Sequence, residues 1–530
     1  MRAHALILAL AVAIVASGPA WAENVLRWST PAEHQTFDPH AVTGYVPIQS
    51  IIQVYDGLIR RTAGTRIELE PGLALSWRLV EPTAWEFELR PGVTFHNGAP
   101  FTAEDVVFSI ERAKSKRGGY YKQRVLGITE VEIHSPHRVW LRTAEPDPLL
   151  PARIMLFPIM SKTWTEATGV LEPQAFDRNY LFDHANGTGP FKLIWVTLDG
   201  TVVLARNPDW WGLEEQPHNI DRIIHSRISD DRARAEAVLR GEQDLAFNPS
   251  FELHEQIKAT PGVELVAGPS LRVVYLGMDQ GSPELRTSSV KGHNPFADKR
   301  VRLALYHAVD VERLRDEVLH GLAQPVGMLV ARQMNGWSEE LNKRLPHDAL
   351  RAKLLLAEAG YARGLDVSLD CSVGDVEQRS LAVCEAVARD LAQIGISVRI
   401  VQQPSILKIT AQRSTDFWLS SLVDTTFDSG GVLSMLFHSR GSLFNATGYS
   451  NPALDDLLGQ VETTLVTYAR DALLEDAWRR ALEDVAYVPL YVQYGIWAKR
   501  TALELPIDVS QALQFRYARL NSSAAPVIRQ

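Results

Sequence analysis

Residues 71–113, PGLALSWRLVEPTAWEFELRPGVTFHNGAPFTAEDVVFSIERA, contain a succession of local structures that decides the fold. In residues 85–89 (WEFEL), apolar and acidic side chains alternate, which is the period-two pattern of a half-buried strand. Pro91-Gly92 predicts a turn, and Val93 with Phe95 predicts the return strand of a hairpin.

A helix should begin a few residues later in the same stretch. Asn97-Gly98 predicts a second turn, because both residue types tolerate positive φ. Thr102 with Asp105 three residues later matches a capping box. The apolar stripe of the predicted helix consists of Val106, Val107 and Ile110.

This stretch resembles the family 5 extracytoplasmic solute-binding proteins, the receptors of ABC importers for peptides, opines and nickel chelates. In that family a "LA.SW" segment, an aromatic strand, "LR.GV.F.NG.PFTAEDV.FS" and a helix occur in this order. Further segments resemble the family in the same order: NGTGPF (186–191), RNPDWW (206–211), NPFADKRVRLALYHAVD (294–310) and YSNP (449–452). The resemblance implies an α/β, two-lobed periplasmic-binding-protein fold of type II, in the large peptide-receptor-like form with an extra subdomain in lobe 1.

The resemblance also implies a domain division. At 530 residues the chain is too long for one ordinary core, so two or three domains are expected. We expect a signal peptide at residues 1–22, lobe 1 at 23–270 with the extra subdomain at about 50–185, lobe 2 at 271–487, and a return to lobe 1 at 488–530. Two crossovers would then act as a hinge. Alternation of strand and helix around residues 223–240 predicts a mainly parallel sheet.

Composition and charge exclude several classes of protein. Hydrophobic residues make up 46% and charged residues 22%, which argues against general disorder and against a multi-span membrane protein. The net charge of -9 and the absence of a basic stripe argue against nucleic acid as a partner.

The N-terminus predicts export. Arg2 and His4 precede an apolar run from Ala5 to Ala16, and Ala20-Trp21-Ala22 fits the small-x-small pattern that signal peptidase cuts. A membrane anchor is the alternative, but the run is shorter than the roughly 20 residues that span a bilayer. We expect a monomer in the periplasm, which works with the transmembrane subunits of an ABC permease.

Only two cysteines occur, Cys371 after a predicted strand and Cys384 on the following helix. In an oxidising compartment they could form a disulfide, and the alternative is two small buried side chains too far apart to join.

The most ligand-relevant stretch is residues 415–434, TDFWLSSLVDTTFDSGGVLS. It resembles the family segment in which an aspartate after a tryptophan faces the cleft and, in peptide receptors, holds the ligand's α-amino group. Asp424 matches that aspartate, whereas the tryptophan is displaced to Trp418. A buried carboxylate favours a cationic ligand, and the alternative is an aspartate that caps a loop. The ligand contacts we expect are Asp424, Trp418, Phe427, Tyr45, Tyr120 and Tyr121, and we expect Asp428 to be structural.

Two segments carry arginines that could bind a ligand carboxylate. Dipeptide receptors of the family carry an arginine for this group in the loop that here reads SVGDVEQR (372–379), and only Arg379 is basic in it. A simple dipeptide carboxylate site is therefore doubtful. Arg300 and Arg302 are interpreted as part of a solvated helix face rather than as an anion site.

Motifs of catalysis and of cofactor binding are missing from the sequence. His254-Glu255 begins an HExxH-like run that ends in Lys258, and no G-x-S-x-G occurs. His438 has no accompanying histidine cluster, so neither a metal nor any other cofactor is expected. We therefore expect a receptor for a peptide-like or other amine-bearing solute, and no enzyme. The alternatives are a secreted hydrolase, or a receptor for an opine, a glycoconjugate or a nickel chelate.

Overall fold

The computed structural model describes residues 23–42, 45–64, 67–174, 179–373, 379–440, 444–507 and 511–521. The predicted signal peptide lies outside these ranges, and so do the side chains of Tyr45 and Val46.

The described ranges contain 19 strands and 15 α-helices. The strands are β1 (Val25–Thr30), β2 (Ile59–Arg61), β3 (Leu69–Pro71), β4 (Ala74–Glu81), β5 (Ala84–Leu89), β6 (Ile128–Ser135), β7 (Arg138–Thr143), β8 (Phe191–Val196), β9 (Val202–Arg206), β10 (Arg222–Arg227), β11 (Leu245–Phe247), β12 (Val263–Met278), β13 (Ala323–Pro325), β14 (Leu365–Ser372), β15 (Ile396–Gln403), β16 (Phe417–Leu422), β17 (Tyr487–Arg500), β18 (Leu503–Glu504) and β19 (Arg519–Leu520). The helices are α1 (Tyr45–Val54), α2 (Ala103–Lys114), α3 (Lys122–Val125), α4 (Leu150–Arg153), α5 (Lys162–Thr168), α6 (Asp231–Leu239), α7 (His254–Ala259), α8 (Lys299–Ala308), α9 (Val311–Arg313), α10 (Ala349–Glu358), α11 (Ser380–Gln393), α12 (Ile406–Ala411), α13 (Ser429–Phe437), α14 (Pro452–Thr463) and α15 (Thr467–Glu483).

One 11-stranded sheet runs through both halves of the molecule in the order β15-β14-β16-β12-β17-β11-β1-β10-β9-β8, and β13 pairs with β17 outside this order. We call the part around β1 and β8–β11 lobe 1 and the part around β14–β16 lobe 2. The long strands β12 and β17 pair with each other antiparallel and pass from one lobe into the other. Their register shifts between Pro269 and Val273, where the two strands cross between the lobes.

The main sheet is mixed, so the prediction of a mainly parallel sheet is wrong. β1 is parallel to β10 and β11, and β14 is parallel to β15 and β16. The crossing strands β12 and β17 run antiparallel to each other and to their outer neighbours β16 and β11.

The stretch 71–113 forms a separate four-stranded antiparallel sheet together with residues 128–143, in the order β4-β5-β7-β6. The strand predicted at residues 85–89 is β5, but its hairpin partner is the preceding β4. The return strand predicted at Val93 and Phe95 is wrong, because only an isolated bridge between Thr94 and Pro100 forms there. Side chains of this small sheet, among them Phe87 and Leu141, belong to the apolar cluster that fills lobe 1.

Helix α2 begins as the capping box predicts. The backbone N–H of Thr102 donates to the Asp105 carboxylate at 2.8 Å, which ties the residue before the helix to its first turn. Val106 and Ile110 are buried, and Val107 is half-buried.

Three large clusters of buried apolar side chains stabilise the two lobes. One fills lobe 1 and includes Leu26, Phe87 and Phe515. The other two fill lobe 2, around Leu369 and around Trp478 respectively. The first cluster draws on both ends of the chain, so lobe 1 is discontinuous in sequence.

Arg302 is buried, which corrects its interpretation as part of a solvated face. The side chain is 6% exposed, and its guanidinium donates to the carbonyl oxygens of Val485 (2.9 Å), Asp484 (2.8 Å) and Phe296 (2.8 Å). It thereby ties α8 to the start of β17. Arg300 is exposed and pairs with Asp298 at 2.6 Å.

Cys371 and Cys384 form a disulfide between β14 and α11, and both residues are fully buried. The bond closes the chain segment that connects these two elements, and part of that segment borders the space between the lobes.

Candidate ligand-binding site

The ends of parallel strands from the two lobes face each other across a cleft. In lobe 1, β1, β10 and β11 run toward lobe 2, and in lobe 2, β14 and β16 run toward lobe 1. Ligands of α/β proteins bind outside the carboxyl ends of such strands. The loops that follow these strands are therefore the candidates for ligand contact.

A cavity of about 560 Å³ lies between the lobes at one part of this cleft. Its walls come from the loops after β10 and β11 in lobe 1 and after β14 in lobe 2. The lining residues are Ser229, Asp230, Asp231, Arg234, Asn248, Pro249 and Phe251 of lobe 1, Ser372, Val373, Arg379, Ser380, Leu381 and Gln402 of lobe 2, and Ile496 of the crossing strand β17.

Arg234 fixes the lobe 1 wall of this cavity. Its buried guanidinium donates to the carbonyl oxygens of Phe247 (2.9 Å), Ile228 (2.6 Å) and Asn248 (3.0 Å). Both loops of this wall are thereby held by one side chain.

Arg379 and the start of α11 form the opposite wall. The exposed guanidinium of Arg379 is 2.8 Å from Nε2 of His320 and lies over the ring of Phe251 in lobe 1, with 5.4 Å between Cζ and the ring centroid. Ser380 is the first residue of α11, whose N-terminal amide groups favour negative charge. The single basic residue that the sequence offers in this loop thus lines the cavity.

Asp424 lies in the loop after β16, which is at the same edge of the lobe 2 sheet as the loop after β14, because the two strands are parallel neighbours. It is 7% exposed, and its Oδ1 accepts hydrogen bonds from the backbone N–H of Thr426 (2.7 Å) and from the Thr426 hydroxyl (2.6 Å). Burial raises the pKa of the Asp424 carboxyl, and the two hydrogen bonds from Thr426 partly oppose this rise. Gly431 of α13 packs against Oδ2 so closely that a Cβ there would overlap with the carboxylate.

Asp428 has the structural role that we expected for it. Its carboxylate forms a two-pronged buried ion pair with Arg470, at 2.6 and 2.8 Å, and caps α13 by accepting from the N–H of Gly430. It also accepts from the side chain of Asn335.

Tyr120 and Arg124 of lobe 1 contact lobe 2 next to Asp424. The hydroxyl of Tyr120 is 3.2 Å from the hydroxyl of Thr425, and Arg124 donates to the same hydroxyl. Arg124 also donates to the Tyr120 hydroxyl at 2.6 Å. Tyr120 therefore lies at the boundary between the lobes, and Arg124 is a residue that the sequence reasoning missed.

Phe427 also lies between the lobes. Its half-buried ring packs against the apolar clusters of both lobes, and Cζ of Arg61 in lobe 1 lies 5.8 Å from the ring centroid. Its φ of 60° lies in the left-handed region, which is unusual for a phenylalanine. Tyr45 is the first residue of α1, but its side chain is outside the described part of the structure.

Two of the expected ligand contacts are core residues instead. Trp418 is 1% exposed and packs over Gly277 with Ile406 and Ala446, because its side chain points away from the cleft into lobe 2. Tyr121 is also 1% exposed and packs edge-on against Phe157 in the core of lobe 1. Neither side chain can contact a ligand in this conformation.

Within the described ranges, no group of three or more His, Cys, Asp and Glu side chains could hold a metal ion. No helix among the described residues is both long enough and apolar enough to cross a bilayer.

Two lobes joined by a pair of strands, with charged side chains of both lobes at the intervening cleft, define a two-lobed solute-binding protein. The family model described as "Bacterial extracellular solute-binding proteins, family 5 Middle" matches residues 68–444, and the chain belongs to this family. The resemblance read from residues 71–113 is thereby confirmed.

Similar proteins include receptors for different solutes. The chain is 24% identical over 512 residues, or 93% of each chain, to the glutathione-binding protein GsiB of Shigella flexneri serotype 5b (strain 8401). The periplasmic binding protein DppA of Helicobacter pylori in complex with the peptide STSA has a TM-score of 0.76 and 23% identity, over 94% of this chain and 98% of that chain. AgaA of A. tumefaciens R10 in complex with agropinic acid has a TM-score of 0.76 and 20% identity, over 94% of this chain and 99% of that chain. The likeness to the solved structures confirms the two-lobed fold of the peptide-receptor type.

Proposed function

We propose that this receptor binds a peptide-like solute whose ammonium group pairs with Asp424 and whose distant carboxylate lies near Arg379. The observation that supports this most is the buried Asp424 carboxylate at the edge of the cleft. The carboxylate accepts hydrogen bonds from Thr426. Among the described side chains, no cation forms a hydrogen bond or ion pair with it. A buried carboxylate of this kind is stabilised when a ligand brings a positive charge.

The opposite end of the ligand would lie in the interlobe cavity. Arg379 supplies a cation, and the amide groups at the start of α11 supply further donors for a carboxylate. Both ends of the ligand would then contact lobe 2, while Phe251 and the loops held by Arg234 close over it from lobe 1. Rotation about the crossing between β12 and β17 would open and close the cleft.

The wider setting follows from the family. The mature protein would begin near Glu23 and act in the periplasm as a monomer, and its closed form would be recognised by the transmembrane subunits of an ABC permease. It would release the ligand unchanged and would have neither catalytic activity nor affinity for nucleic acid.

A thermal-shift screen tests the proposal. The mature protein is unfolded and refolded to remove captured solute, and is then screened against peptides, opines, glycoconjugates and nickel-histidine. A ligand at about 100 times its dissociation constant stabilises the folded state by roughly 2.7 kcal/mol. We expect stabilisation by ligands with a free ammonium group and none by their N-acetylated counterparts. Equal stabilisation by both forms would contradict the role of Asp424.

A further inference from the structure

A phenylalanine ring of lobe 1 packs against two side chains of lobe 2 at the interlobe cavity. The ring belongs to Phe251, in the loop after β11. Cζ of Arg379 lies 5.4 Å from its centroid, and the centroid of the His320 imidazole lies 5.3 Å from it. Nη1 of Arg379 is 2.8 Å from Nε2 of His320. These three side chains therefore form a direct contact between the lobes that needs no ligand.

Both lobe 2 residues have an unusual backbone conformation. φ is 53° at His320 and 56° at Arg379, in the left-handed region that residues other than glycine rarely occupy. His320 follows a short π-helix (Leu314–Val318). The next N–H, that of Gly321, donates to the carbonyl oxygen of Arg315 at 2.8 Å and fixes the turn. Strained backbone of this kind often occurs at functional positions.

The hydrogen bond between Arg379 and His320 requires a neutral imidazole. A guanidinium has only donors, so Nε2 of His320 must accept, and the ring proton must be on Nδ1. Burial and the charge of Arg379 both lower the pKa of His320, which favours this neutral form. When His320 takes up a proton, the acceptor is lost and two cations lie side by side.

No described carboxylate compensates for a proton on His320. His254 packs against the same phenylalanine ring, with 4.7 Å between the centroids, and can itself become a cation. The lobe 1 carboxylates at the cavity are Asp230 and Asp231, and within the described ranges neither forms a hydrogen bond or an ion pair with the Arg379–His320 pair. The charged side chains on the segment before His320 have partners of their own, namely Arg315 with Glu312 and Asp316, and Arg313 with Glu317 and Asp390.

We propose that Phe251, His320 and Arg379 form a latch that holds the two lobes closed and that opens in acid, when His320 becomes protonated. The guanidinium of Arg379 is then repelled and turns away from the ring, so the contact between the lobes is lost. Because His320 is exposed, water screens the repulsion, and the ratio of closed to open protein falls by about fivefold, which corresponds to ~1 kcal/mol. The inference rests on the proposed opening and closing of the cleft, but it holds for any ligand.

Spin labels on the two lobes test the latch in the mature protein stripped of solute. Leu198→Cys on lobe 1 and Leu350→Cys on lobe 2 provide the attachment sites, because both side chains are exposed (89% and 70%). Cys371 and Cys384 are buried and joined to each other, so they do not take the label. Pulsed electron paramagnetic resonance measures the distance between the labels and thus the fractions of closed and open protein. Between pH 8 and pH 5 the ratio of closed to open protein should fall by about fivefold.

Three variants separate His320 from the other groups that titrate in this range. His320→Asn keeps an acceptor for Arg379 and suits a positive φ, so the closed fraction should no longer depend on pH. Phe251→Ala removes the ring and should lower the closed fraction at pH 8 without a further response to acid. His293→Asn is the matched control, because His293 is also an exposed histidine of lobe 2 but stacks on Tyr361, and the response to acid should persist in it.

A closed fraction that is the same at both pH values, a response that persists in His320→Asn, or a fully open protein at pH 8 would each overturn the inference. Should His320→Asn fail to fold, His320→Arg places a permanent cation beside Arg379 and should open the protein already at pH 8. A closed fraction in His320→Arg equal to that of the original protein would also overturn the inference. No ligand is present in these measurements, so their outcome is independent of the ammonium site, which Asp424→Asn tests in calorimetry.

Discussion

Asp424→Asn isolates the charge of the proposed ammonium site. The replacement keeps the shape of the side chain, and the amide oxygen can still accept both hydrogen bonds from Thr426. Only the negative charge is lost. A hydrogen bond to a charged group contributes about 1.5–3 kcal/mol, so we expect the dissociation constant of an ammonium ligand to rise roughly 10- to 150-fold.

The free protein should respond in the opposite direction. Burial raises the pKa of Asp424, so the ionised carboxyl destabilises the fold; this destabilisation grows as the pH rises from 3.8 to the raised pKa and is constant above it. Asp424→Asn should therefore unfold at the same or a higher temperature than the original protein at pH 7. Asp428→Asn is the matched control, because it breaks a buried ion pair with Arg470 and should destabilise the fold by about 3–5 kcal/mol.

The pH dependence of binding gives a second readout of the same carboxylate. Protonation removes the charge that attracts the ligand, so affinity should fall as the pH is lowered through a pKa above the 3.8 of an exposed aspartate. In Asp424→Asn this component of the pH dependence should vanish. Unchanged affinity in Asp424→Asn by titration calorimetry, or a loss of stability like that of Asp428→Asn, would refute a ligand-binding role and leave a loop cap.

Three further predictions concern packing, the disulfide and acid stability. Gly431→Ala should weaken ligand binding in calorimetry at nearly unchanged stability, because the new Cβ displaces the Asp424 carboxylate. The control Gly459→Ala on α14 places its Cβ in open space and should leave binding intact, so equal affinities in the two variants would contradict this packing argument. Replacing Cys371 and Cys384 together by alanine should lower stability by about 3 kcal/mol in calorimetric unfolding, because their sequence separation is 13, and an unchanged midpoint would show that the bridge is dispensable. Burial lowers the pKa of His225 to about 3, so on acidification the imidazole is protonated in the unfolded chain before it is protonated in the folded protein. Stability should therefore fall as the pH drops from 6.5 toward 3. In thermal unfolding, His225→Gln should flatten this slope, whereas replacement of the exposed His184 by Gln should not.

Local patterns predicted the fold well where they were complete. The capping box at Thr102 and the apolar stripe of α2 fixed that helix, and the alternating residues 85–89 fixed β5. The pairing of β5 was mistaken, because alternation identifies a strand but does not select its partner. The mixed direction of the main sheet was missed for a similar reason, since it depends on two strands that cross between the lobes.

The site was only partly predictable. A long motif singled out Asp424, which lies in the loop after β16, whereas Trp418 and Tyr121 were predicted as aromatic ligand contacts and are buried in the core. The direction of a side chain from a strand follows from register, which the sequence did not supply. Arg124 was missed because its contact with Thr425 joins residues 301 positions apart, and the nearby aromatic pair was the only local signal.

The discontinuity of lobe 1 determines when each part of the protein can fold. Gln49 and Gln53 on α1 bind the backbone of Gln511, Leu513 and Phe515, which are more than 450 residues away along the chain. β11 likewise pairs with β17. Lobe 2 is assembled from nearly contiguous sequence and can form while the last residues are still emerging, but lobe 1 must wait for the C-terminus. A chain shortened before Gln511 should therefore yield a folded lobe 2 joined to an incomplete, protease-sensitive lobe 1.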